Sequence, residues 1–238
     1  MSGFIQWSDR ETHFIRDPSS GYLLEISRKD ESRHPVQQVS FTAPFGEKKT
    51  CGVTARDMEE YPGDIRDLKV NPAGQYVFVG SGLGEELSYV RQRLATDAPL
   101  PLVIDPARFD VMKKMIAYAR TLSFEDRDAI HAINRKRLEV LFRRCNLVTS
   151  PARVTLINTT LGTVLRERPE IRGIADIVIE HIGPSAYEFT ESSTAPAGDE
   201  TATLAIDQLV KQVRKLEGLL LKPSGILYSR NTTGNGLM

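Results

Sequence analysis

An α/β protein built on a buried parallel sheet is what this sequence predicts, and three observations predict it. From about residue 70 onward, short apolar runs alternate five times with amphipathic helical stretches. The runs Tyr76–Val79 and Leu102–Ile104 are apolar throughout, the pattern of strands covered on both faces. A glycine cluster, Gly80-Ser81-Gly82-Leu83-Gly84, follows the first run directly and precedes the first helical stretch.

The elements follow in order. Residues 1–70 read as an N-terminal appendage. Gly21–Ser27 and Val36–Thr42 are short strands separated by the charged turn Arg28–Pro35, a loose β-hairpin. Asp57–Asp67 is acidic, contains Pro62-Gly63, and reads as loop or short helix. Residues 71–238 form the α/β domain. Asn71-Pro72-Ala73-Gly74 leads into strand Tyr76–Val79, and Glu85–Ala95 places Leu87, Val90 and Leu94 at helical spacing. After strand Leu102–Ile104, the helix Arg108–Leu122 carries Phe109, Met112, Ile116 and Ala119 on one face. Phe124–Asn146 is a second amphipathic helix, with Ile130, Ile133, Leu138, Leu141, Phe142 and Cys145 inward and a charged outer face; Ser123 and Asp126 resemble its capping box. Val154–Ile157 is the third strand of this domain, Leu161–Arg168 a short helix stopped near Pro169, and Ile174–Ile179 the fourth strand. Thr190–Thr203 is a loop by composition, and Leu204–Leu221 a helix with Ile206, Leu209, Val213, Leu216 and Leu220 in phase. Lys222-Pro223-Ser224-Gly225 is a tight turn into the fifth strand, Ile226–Tyr228.

Composition narrows the function classes. The 238 residues carry 31 basic and 31 acidic side chains, so no global charge draws the chain to nucleic acid or to an anionic membrane. Two cysteines, Cys51 and Cys145, lack metal-site spacing and read as free thiols of a reducing compartment. The four histidines, His13, His34, His131 and His181, show no metal-ligand spacing either. No apolar run is long enough to span a bilayer, and Met1–Arg16 alternates apolar with charged residues without a signal-peptide core. The expectation is a cytoplasmic protein with no membrane segment.

The chemistry is concentrated at the strand ends. Glycines let a backbone approach a ligand, and Asp105, ending the second apolar run about one βα unit later, can accept hydrogen bonds from ribose hydroxyls. That layout suits a nucleoside-bearing cofactor. A dinucleotide fits poorly: the GxGxxG fingerprint has Glu85 in its third glycine place, and Glu85 and Glu86 would repel a pyrophosphate at the helix start.

The order of these pieces resembles the class I S-adenosylmethionine-dependent methyltransferase family over about residues 75–230. Val79-Gly80-Ser81-Gly82-Leu83-Gly84 is similar to its first motif, Asp105 to its ribose-binding acid, Ala175–Glu180 to its fourth strand, and Leu219-Leu220-Leu221-Lys222-Pro223-Ser224-Gly225 to its LLKPGG turn. The resemblance implies a Rossmann-like sheet and S-adenosylmethionine as cofactor. By position, Gly80, Ser81, Gly82 and Gly84 would lie under its methionine part, Asp105 would hold the ribose, and Pro106 and Ala107 would border the adenine. Asn158, Thr159 and Thr160 would meet the adenine edge. Glu180 and His181 would face the methionine end and the substrate, and are the candidate catalytic residues. The implied reaction is methyl transfer to a small-molecule or protein acceptor.

The chain departs from that pattern at Phe78, where the family usually has an acid, and at Asn158, where it usually has an aspartate. The helix Phe124–Asn146 is an insertion. Against that family the C-terminal end would be shortened, since the family's sheet continues for two more strands while only eight residues follow Arg230; the expectation is a fragment, an N-terminal hairpin substituting at the sheet edge, or an incomplete fold. These departures keep a second reading open: a catalytically degenerate binding module or partner subunit, associating through a sheet edge or the inserted helix. An NAD(P)-dependent oxidoreductase ranks third. The basic run Arg135-Lys136-Arg137 with Arg143-Arg144 reads as a solvated helix face rather than a nucleic-acid contact. Glu180-His181-Ile182-Gly183-Pro184 lacks the Asn/Asp-Pro-Pro-aromatic motif of base amino-methyltransferases.

Overall fold

The structure, a computed structural model, describes residues 3–9, 12–27, 39–44, 68–80, 86–122, 128–181 and 211–230. The chain divides into two compact units. One comprises Met1–Leu68 and Arg108–Thr149; the other comprises Lys69–Ala107 and Ser150–Met238.

The first unit holds a four-stranded antiparallel sheet in simple meander order: β1 (Ile5–Ser8), β2 (Thr12–Arg16), β3 (Leu23–Ser27) and β4 (Val39–Thr42). The expected hairpin corresponds to β3 and β4; β1 and β2 enlarge it. The alternation within Ile5–Ser8 and Thr12–Arg16 is the two-residue period of strands, and Asp9 accepts the Thr12 N–H at 2.7 Å. Register places Ile15, Leu24, Ile26, Val39 and Phe41 on one face, all fully or nearly fully buried. The opposite face carries Trp7 stacked on Phe14, ring centroids 5.1 Å apart, and the Ser40 hydroxyl donating to Glu25.

The helices belonging to this unit are α2 (Phe109–Ala119) and α3 (Asp128–Val148), which pack on each other, with α3 also against β4. All four residues expected on the inner face of α2 are buried. On α3 the buried stripe is Asn134, Arg137, Leu138, Leu141, Cys145 and Val148. The expectation of one solvated basic run is therefore corrected at Arg137, which is fully buried and donates to Asn134 Oδ1 at 3.4 Å; Asn134 in turn donates to the Ser27 carbonyl at 3.0 Å. Arg135, Lys136 and Arg143 do lie outside. Cys145 is buried on this stripe.

The second unit is the predicted parallel sheet flanked by helices. Its strands are β5 (Tyr76–Val79), β6 (Leu102–Ile104), β7 (Thr155–Ile157), β8 (Ala175–His181) and β9 (Leu221–Arg230), in spatial order β7-β6-β5-β8-β9 and all parallel. The order runs outward from β5 to β7, then reverses through β8 to β9, as in a Rossmann-like sheet. One face buries Val77, Val79, Leu102, Ile104 and Val178 against Leu161, Val164 and Leu165 of α4 (Leu161–Glu167), Ile171 of the following 3-10 turn, and Leu220 beyond the helical residues 211–218. Tyr76 and Phe78, alternate along β5, are buried on the other side.

Among the boundaries that differ from expectation, two differ the most. The helix after the glycines, α1, is Glu86–Arg91, because the next residues tighten into turns with Arg93 N–H bonded to the Val90 carbonyl. The Lys222–Gly225 turn lies inside β9. Ala175 and Ile177 on β8 face Leu221 and Ile226 on β9, so two positions oppose five and the excess is absorbed as an irregularity in the ladder.

At the start of this sheet, Lys222 donates to both Asp176 oxygens at 2.8 and 2.9 Å, and the Gln75 N–H to Asp176 Oδ2 at 2.8 Å. The lysine, followed by that backbone N–H, holds the Asp176 carboxyl below its ordinary value of 3.8. A lowered folded value stabilises above the unfolded one and is lost as pH falls through the folded one. Asp176→Asn is expected to cost under about 1 kcal/mol near neutrality, because the pair is half exposed. It should also flatten the fall in stability below the ordinary carboxylate range. Urea unfolding of both proteins across that range checks this.

Candidate functional site

In an open parallel sheet, ligands gather at the carboxyl ends of the strands, beside the point where strand order reverses. That point lies here between β5 and β8. Val79, the last residue of β5, pairs with Ile104 of β6 and with Glu180 of β8, and Glu180 pairs with Ser229 of β9. Gly80, Asp105 and Glu180 therefore converge on one edge of the sheet.

Gly80 leaves β5 with φ +58°, a left-handed conformation that costs other residues about 1 kcal/mol or more. Its N–H still reaches the Ile104 carbonyl at 2.9 Å, and Asp105 N–H reaches the Ile157 carbonyl at 3.2 Å. The strand ends are thus tied to one another one residue beyond the assigned strands. Ser81, Gly82 and Gly84, like Glu85, lie outside the described residues.

Asp105 is fully buried. Its Oδ1 accepts the Ala107 N–H at 2.8 Å, an Asx turn with Pro106 at its corner. Asp-Pro-Ala is a sequence signal for such a turn, so the residue both shapes its loop and brings a carboxylate to the edge. Pro106 and Ala107 follow directly, where the resemblance puts them.

Asn158 projects from the end of β7. Its Nδ2 donates to the Asp105 carbonyl at 3.2 Å and to the Ala107 carbonyl at 2.6 Å. Thr159 N–H turns back to the Ile157 carbonyl at 3.0 Å. Thr160 caps α4, its Oγ1 accepting the Thr163 N–H at 3.4 Å. The structure thus brings the 158–160 turn beside Asp105, and gives Asn158 and Thr160 structural hydrogen bonds that the sequence did not disclose. The partners of Asn158 are backbone carbonyls, which leave no trace in residue type, whereas Thr160 also bonds the Thr163 hydroxyl at 3.0 Å.

Glu180 is almost fully buried at the end of β8, and Glu86 is as deeply buried in the first turn of α1. His181 closes β8; its side chain lies outside the described residues. Asp105 and Glu86 follow the ends of β6 and β5, and Glu180 is the penultimate residue of β8. Carboxylates at this edge accept hydrogen bonds from hydroxyl groups and oppose a phosphate. Among the described residues no group of three His, Cys, Asp or Glu side chains could hold a metal ion, and no helix is long and apolar enough to cross a membrane. No protein-family model matches the chain, and no curated protein matches it.

Proposed function

We propose that the chain binds S-adenosylmethionine at the carboxyl edge of the parallel sheet and transfers its methyl group to a small-molecule or protein acceptor. The observation that carries this reading is the placement of Gly80, with its positive φ, and Asp105 at the ends of adjacent central strands, next to the reversal of strand order. The buried carboxylates fit the group's chemistry: a ribose diol and a positively charged sulfonium, without a pyrophosphate. The Gly80 turn and Asp105 would hold the nucleoside. When bound, the cofactor supplies an electrophilic methyl group. Displacement at that carbon needs alignment and exclusion of water more than a strong base. Glu180, with His181 next to it, would take a proton from the acceptor.

Titration calorimetry with S-adenosylmethionine and with its demethylated product tests the reading. Submillimolar binding of either is expected. Asp105→Asn keeps an acceptor for the Ala107 N–H while removing the charge, and should weaken binding roughly 10- to 100-fold, the scale of a charge-assisted hydrogen bond. No heat with either ligand overturns the reading.

Phe78 favours a second one. It is wholly buried in β5 at the place where methyltransferases of the resembled class usually present an acid. A degenerate module would bind the cofactor without turnover. Donor binding with no radiolabelled methyl passed to any component of a cell extract distinguishes it.

A further inference from the structure

We infer that Asn158 is a positioning residue that clamps the Asp105–Ala107 loop in its ligand-ready shape, rather than a direct reader of a bound base. Its two donated hydrogen bonds, 3.2 Å to the Asp105 carbonyl and 2.6 Å to the Ala107 carbonyl, span the Asx turn that Asp105 closes on the Ala107 N–H at 2.8 Å. The loop is thereby held from both sides: its own carboxylate fixes one N–H, and a side chain from the neighbouring strand end fixes two carbonyls. Only a side chain with two donors on one atom can bridge two acceptors in this way. An aspartate has none when ionised, and its oxygens would face two carbonyl oxygens. The asparagine at this place is therefore a requirement of the loop. The backbone N–H of Asp105, tied to the Ile157 carbonyl at 3.2 Å, links the clamp to the same strand end that presents Asn158.

The clamp itself is a property of the fold. Only its effect on binding rests on the proposed nucleoside site. Asn158→Asp tests both, and Asn158 is solvent-exposed, so the variant should fold. Amide hydrogen exchange on the unliganded protein is the first arm. Ala107 N–H should exchange at least about tenfold faster in Asn158→Asp, while the amides of β6 keep their rates. Calorimetry with the demethylated cofactor is the second. At pH near 7.5, roughly tenfold weaker binding is expected, recovering in part as the pH is lowered toward 5, because two facing carbonyls raise the new carboxyl's pKa and its protonated form regains one of the two donors. Asn158→Ser, shorter and neutral, should lose affinity without that pH-dependent recovery. Unchanged Ala107 exchange overturns the clamp whether or not a ligand binds. Equal affinity of Asn158→Asp and the unmodified protein at pH near 7.5 overturns its role in binding. If the unmodified protein binds no nucleoside, the proposed function fails and exchange alone judges the clamp.

Discussion

Phe78→Asp is expected to unfold the parallel-sheet unit. Phe78 lies in β5, hydrogen-bonded between β6 and β8, and exposes none of its surface. Truncating a buried phenylalanine costs about 3–5 kcal/mol through lost burial and the cavity left behind. Aspartate adds a carboxylate that must either stay charged in an apolar interior or take up a proton, at a further cost of a few kcal/mol. The sum is comparable to the whole stability of an ordinary domain, about 5–15 kcal/mol. Phe78→Leu, which keeps most of the volume, should cost only about 1–1.5 kcal/mol. Urea unfolding followed by far-ultraviolet circular dichroism checks the pair. A folded Phe78→Asp that binds the methyl donor more tightly would contradict the interior placement of this side chain.

Gly225→Val should be the next most damaging change. A Cβ at residue 225 would lie 2.9 Å from the Ala175 carbonyl oxygen, 2.9 Å from Leu221 Cδ2 and 3.1 Å from the Lys222 carbonyl oxygen. Two of these neighbours are backbone, one in β8 and one in the irregular start of β9, so relief requires separating the strands. Alanine is expected to cost about 2 kcal/mol and valine about 3 kcal/mol, at the upper end for overpacking. Gly218 supplies the contrast. It lies in the helical residues 211–218, and a Cβ there meets nothing within 4 Å. Gly218→Ala should therefore stabilise by up to about 1 kcal/mol through helix propensity. Thermal melts of the three variants give opposite signs if β9 is held as described, and similar values if it is not.

Legibility in the sequence tracked how local the cause of each feature is. β5 and β6 could be read to the residue because Tyr-Val-Phe-Val and Leu-Val-Ile are unbroken apolar runs between turn residues. The inner face of α2 was equally plain. Arg137 was readable but misassigned: it falls on the same helical stripe as Asn134, Leu138, Leu141 and Cys145, and spacing proved a better guide than charge. The strands β1 and β2 carry only a polar–apolar alternation, a weak signal in a segment with few long apolar residues. The start of β9 depends on its register against β8, which no local pattern encodes. Chain order also does not say that α2 and α3, lying between β6 and β7 in sequence, group with the N-terminal sheet. At the candidate site, Gly80 and Asp105 stood out because residue type alone marks them. The work done by Asn158 did not, since it depends on carbonyls 51 and 53 residues earlier in the chain.

The stacked pair on the outer face of the N-terminal sheet has a spectroscopic consequence. Trp7 is the chain's single tryptophan, and its indole lies nearly parallel to the Phe14 ring, at 8°. Intrinsic tryptophan emission therefore reports on the first unit alone, whereas circular dichroism records helices and strands of both. Superimposing the two signals along one denaturation curve counts the cooperative blocks directly: a shared midpoint means one transition, and separated midpoints mean each unit melts on its own.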